Sequence, residues 1–144
     1  KRETTKNQMV TSSLLEAEKR LLGLISQSKK LYKMSSAQIK ADEFATDVYR
    51  RLAKSMYDSY ENGMSPDPAM MLNDFSNDDL SEASEVFYNL EVYSGDEETV
   101  KELLYTIKLE KLNMRINAET DPTNLMDLFK QREELLNEKN TWEE

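Results

Sequence analysis

Residues Asp96–Glu119, DEETVKELLYTIKLEKLNMRINAE, decide the fold, because they carry two apolar stripes on one helix instead of one. At about 100° per residue, Val100, Leu103, Leu104 and Ile107 share one face, while Tyr105, Leu109, Leu112 and Ile116 fall nearly opposite. The first stripe is weighted towards the helix start and calls for a partner earlier in the chain. The second is weighted towards the end and calls for a partner later in the chain. A helix of roughly 22 residues is about 33 Å long, enough to leave a compact body and carry a second element away from it.

The C-terminal residues supply that element. Thr120-Asp121-Pro122 reads as a tight helix-to-helix turn, with Asp as cap and Pro in the first helical position. A last helix to about Lys139 presents Leu125, Leu128, Phe129, Leu135 and Leu136 on one side. Helices joined by so short a turn lie antiparallel, so the predicted seam sets Tyr105, Leu109, Leu112 and Ile116 against Leu125, Leu128, Phe129 and Leu136. A hairpin that leaves one side exposed is marginal alone and is expected to move relative to the body. Met126 and Trp142 fit no core stripe and are candidates for partner contacts. Arg132, Leu136, Thr120 and Asp121 join them as the hairpin's outer side and tip.

Working towards the start, residues 1–12 read as a polar linker or tail, 13–95 as a helical bundle, 96–140 as the hairpin and 141–144 as a tail. Ser13-Leu14-Leu15-Glu16 has capping-box spacing, and Leu14, Leu15, Leu21, Leu22 and Ile25 form the buried side of the helix it opens. Gly23 inside that helix implies a close helix crossing. After a short helical turn at Lys29–Met34 and a Ser35-Ser36 break, Asp42 is expected to cap a central helix ending at Gly63. Its apolar side holds Phe44, Ala45, Val48, Tyr49, Leu52, Met56 and Tyr60. Ser65-Pro66-Asp67-Pro68 restarts the chain, and a helix capped at Asn77-Asp78-Asp79 presents Leu80, Ala83, Val86, Phe87 and Leu90. The fold class is all-α: a multi-helix bundle, then a long helix forming a C-terminal antiparallel hairpin.

The composition narrows the chemistry. The 144 residues include no His and no Cys, which removes the usual zinc sites and the Cys-His and Ser-His nucleophile systems. Three glycines cannot build a phosphate-cradling loop. Asp78-Asp79 and Asp96-Glu97-Glu98 sit at helix starts, where negative charge offsets unpaired N–H groups; metal ligation is the weaker reading. No catalytic, metal or cofactor site is expected. A net charge of −9 opposes binding to nucleic acid. The tyrosines, with nothing basic between them, read as half-buried helix residues with wet hydroxyls. Met64, Met70, Met71 and Phe75 read as core filling under a short helix, with an adaptable docking surface as the alternative. No run approaches membrane-span length. The opening KRETTKNQ lacks the apolar core of a signal peptide, and a first residue other than Met fits a segment of something longer. A cytoplasmic location, also compatible with zero Cys, is the expectation.

Ala17-Glu18, Leu21-Leu22-Gly23-Leu24-Ile25, Ile39 ahead of Asp42-Glu43-Phe44, Tyr49, Leu52 and Leu72 together resemble the helicase-interaction domain at the C-terminus of bacterial DnaG-type primases. The same order resembles the N-terminal domain of the DnaB-type replicative helicase. The ending, ELLYTIKLEKLNMRI with Asp121-Pro122 and a Leu-rich closing helix, looks like the primase hairpin. That resemblance implies a non-catalytic domain, monomeric when isolated and without cofactor. Its hairpin would dock on the N-terminal collar of the hexameric helicase, recruiting and stimulating primase. The alternatives are the helicase N-terminal domain itself, which would self-associate through the hairpin, and a helical adaptor unrelated to replication.

Overall fold

A computed structural model describes residues 10–88 and 96–141; the expected positions of Leu90, Tyr93 and Trp142 fall outside them. Among the described residues the chain is all-helical: α1 (Ser12–Gln27), α2 (Lys29–Ser36), a 3₁₀ turn (Ala41–Glu43), α3 (Asp47–Glu61), α4 (Pro68–Leu72), α5 (Asn77–Tyr88), α6 (Glu97–Ala118) and α7 (Pro122–Thr141). Local chemistry explains most boundaries. Asp96 accepts from Thr99 N at 3.2 Å and opens α6, and Asp67 accepts from Ala69 N at 3.1 Å with Pro68 next to it. Gly63, at φ 74°, ends α3 in the left-handed region where a side chain would be strained.

Two caps differ from the sequence reading. Thr11, not Ser13, caps α1, accepting from Leu14 N at 3.0 Å. Thr46, not Asp42, caps α3, accepting from Tyr49 N at 3.0 Å; Asp42 lies in the 3₁₀ turn. In both regions good capping residues stand close together, and before α3 the burial of a neighbour decides between them. Phe44 is 1% exposed, and anchoring its ring in the core keeps Phe44 and Ala45 outside the helix.

The core is one continuous cluster built on α1, α3 and the first half of α6. Leu21, Leu22, Ile25, Leu52, Met56 and Val100 are fully buried. The first stripe of α6 packs chiefly on α1, as its early placement required. Tyr32 stacks on Tyr60 with ring centroids 4.6 Å apart and meets Tyr57 edge-on at 5.1 Å. Two hydroxyls of this cluster are not wet: Tyr60 donates to Ile25 O at 2.6 Å and Tyr57 to Ile39 O at 2.9 Å. Burial accordingly pushes both phenols above their usual pKa. The methionines divide, with Met71 in the core and Met64 and Met70 on the surface, and Arg51 lies 4.3 Å over the Phe75 ring. Leu80, expected on the buried side of α5, is 36% exposed; Ala83 and Val86 make that contact.

Candidate docking hairpin

α6 and α7 form the antiparallel pair, and its turn is fixed by short-range bonds. Glu119 Oε2 accepts from Asp121 N at 3.1 Å, and Asp121 Oδ1 accepts from Thr123 N at 3.1 Å. Thr120 and Asp121 thus stand at the tip, their backbone held by the turn. Pro122 starts α7 where its missing N–H costs nothing.

The seam buries Tyr105, Leu112 and Leu128, with Leu109, Ile116 and Leu125 at its edges. Phe129 and Leu136, assigned to the seam from sequence, stand at its margin at 41% and 42% exposed. Long cationic side chains take their place along the line running from Leu128 towards the end of α7. Arg132 donates to Asn113 Oδ1 at 2.7 Å. Lys139 pairs with Glu102 at 3.5 Å and lies 4.5 Å over the Tyr105 ring. The apolar stems of these residues cover the seam while their charges reach its rim. An apolar count alone missed this; the 3-4-3-4 spacing of Leu125, Leu128, Arg132, Leu135 and Lys139 is the signal that identifies it.

The two displaced residues share a second edge of α7 with Leu125 and Arg132. Leu125, Phe129, Arg132 and Leu136 follow a 4-3-4 spacing, with Met126 beside them at 70% exposed. Arg132 serves both lines, since its guanidinium also lies 5.3 Å from the Phe129 ring centroid. The sequence candidates Met126, Arg132 and Leu136 therefore share one accessible side of α7.

A groove of about 460 Å³ runs between the hairpin and the bundle, lined in part by Ile39, Leu104, Lys108, Lys111 and Leu135. Side chains of α6 span it: Lys108 donates to Gln38 Oε1 and Lys111 to Glu43 O. Nearby, Thr11 donates to Glu110 Oε1 at 2.7 Å. Sequence reasoning missed one residue here. Glu18 is fully buried where α1, α3 and α6 converge. Its position four residues after Leu14 and four before Leu22 places a carboxylate on the apolar stripe, and that spacing is the signal that was available.

Among the described residues, no three His, Cys, Asp or Glu side chains are grouped to hold a metal ion. No described helix is long and apolar enough to cross a membrane. What the hairpin presents on α7 is an apolar edge with one arginine.

The family model of the DnaB-like helicase N-terminal domain matches residues 10–111. The chain belongs to that family. Within this DnaB-like domain the match takes in the bundle and α6 as far as Lys111, and ends before the hairpin turn and α7. It falls on the helicase side of the pair that the sequence resembles, and not on the primase C-terminal domain. No curated protein and no solved structure gives a match.

Proposed function

We propose that this DnaB-like chain is a non-catalytic docking domain of a bacterial DNA-replication helicase assembly, and that its α6–α7 hairpin meets a helicase N-terminal domain. The observation that carries the reading is the family match over residues 10–111. The edge of exposed Met126, Phe129 and Leu136 with half-buried Arg132 supports it, because aromatic, Met and Arg side chains suit the centre of an interface. Thr120 and Asp121 at the tip, and Trp142 after α7, extend the proposed contact. The mechanism is tethering: a small contact raises the local concentration of whatever is joined to the domain, and its modest size permits release.

The family match supports placing the domain in the helicase itself, where the partner is another copy. A second reading is favoured by α7 and its Asp121-Pro122 turn, which lie beyond the matched residues and resemble the primase ending. In that reading the domain recruits a DnaG-type primase to the helicase collar. Sedimentation of the chain alone and with a DnaB-type hexamer separates the two. Concentration-dependent self-association lost in Met126→Asp supports the helicase domain, whereas a monomer that binds the hexamer supports the primase domain. A monomer that binds no hexamer overturns both.

A further inference from the structure

Four elements meet at the base of the hairpin arm, on the segment Glu43–Thr46. From α1, the Glu18 carboxylate accepts the Ala45 N–H at 2.9 Å through Oε1. From α3, Arg50 donates to the carbonyls of Phe44 and Ala45 at 3.0 and 3.3 Å. From α6, Lys111 donates to the carbonyl of Glu43. From α5, Glu82 accepts from Thr46 Oγ1 at 3.1 Å. This segment is thus a joint between the packed core and the arm that carries the docking edge.

Glu18 is the anomalous member. It is 0% exposed, and its second oxygen, Oε2, meets no hydrogen-bond donor among the described residues. The two cations that attract it electrostatically, Lys111 and Arg50, both have their donors on backbone carbonyls. The other ionisable groups around the joint do not offset a buried negative charge. Tyr49 of α3 is buried beside it, held neutral by burial and by Glu82, Glu18, Glu85 and Glu16. Glu16 and Glu85 are paired with Lys19 at 3.2 and 4.0 Å, and Glu43 Oε1 accepts from Lys40 N at 2.7 Å. A neutral Glu18 therefore suits the observed bonding. An ionised Glu18 calls for Lys111 or Arg50 to swing from its carbonyl to the carboxylate.

We propose that Glu18 positions the hairpin, and that its ionisation draws Lys111 away from Glu43 and loosens the α6 arm. Burial raises the Glu18 carboxyl to about 7, so the change falls within the ordinary working range. With no His and no Cys in the chain, no other side-chain type ordinarily titrates there. The proposal deepens the docking reading, because a loosened arm no longer presents its α7 edge at one angle. Its test uses the free chain and no partner, so each idea can fail without the other.

The absence of Cys lets two introduced cysteines carry spin labels uniquely. Ser81→Cys on α5 and Thr123→Cys near the hairpin tip are both at exposed positions. Pulsed electron resonance distances between them, taken from pH 5.5 to 8.5, are expected to show one narrow population at acid pH. A second, broader population should appear with a midpoint near 7, its fraction rising about tenfold per pH unit at the foot of the transition. Glu18→Gln, which keeps an acceptor for Ala45 N, should give the narrow population throughout. Lys111→Met should give the broad one throughout. A distribution that does not change with pH, or a transition that persists in Glu18→Gln, overturns the proposal. Should Glu18→Gln fail to fold, the pH series on the doubly labelled chain with Glu18 intact decides alone.

Discussion

The two halves of α6 make a controlled comparison, because they belong to one helix and differ chiefly in what covers them. Its early stripe is enclosed, with Val100 at 0% and Ile107 at 2% exposure. Its late stripe is covered by a single helix, and of the residues on α7 only Leu128 is buried. Core burial on one side and a two-helix seam on the other should give the same helix two stabilities. A domain that docks through an arm benefits from that division, since the bundle sets the position and the hairpin remains adjustable.

The sharpest break between the halves should come from the bundle. Leu52→Ala removes a fully buried side chain and should cost about 2–5 kcal/mol of global stability, read from the urea midpoint. A loss confined to the hairpin would contradict the single core. Next in size is the pH response of that core. Glu18 has a folded value of about 7, raised from 4.5. The folded state therefore binds more protons between those values, and stability is full below 4.5 and falls as pH rises towards 7. The loss amounts to at most about 3 kcal/mol and should vanish in Glu18→Gln.

The hairpin should respond more locally. Leu128→Asp places a charge in the seam and should cost about 2 kcal/mol of hairpin stability. Amide exchange should then quicken over α7 and the last turns of α6, while α1 and α3 keep their protection. The smallest effect on stability, within about 0.5 kcal/mol, should come from Met126→Asp, since that side chain is 70% exposed. If the outer edge of α7 is the contact, this same variant should weaken partner binding about tenfold or more, measured by calorimetry. Leu136→Asp should resemble Met126→Asp more than Leu128→Asp, which separates the edge from the seam.

Much of this architecture was legible where local chemistry has little competition. Asp96, Asp67-Pro68, Gly63 and Asp121-Pro122 each left few alternatives for the backbone, and the two-striped pattern of α6 required partners on both sides. The misreadings arose where tertiary burial chose between equivalent residues. Thr11 and Ser13 are both competent caps, as are Asp42 and Thr46; only the anchoring of Phe44 and the Glu18 bond to Ala45 decide the second pair. Within the seam only Phe129 and Leu136 were placed too deep, because Arg132 and Lys139 count as polar although their stems cover apolar surface. Tyr57 and Tyr60 found backbone carbonyl acceptors inside the core, which no sequence spacing reveals.

The central claim is that the late half of α6 exists to hold α7 as a docking edge. Amide exchange of this chain, measured free and bound to a DnaB-type helicase N-terminal domain, tests it most directly. The expected result is new protection over α7 around Met126–Leu136 and at the Thr120–Asp121 tip, with α3–α5 unchanged. Protection confined to α3–α5, with the hairpin exchanging as it does in the free chain, would contradict it.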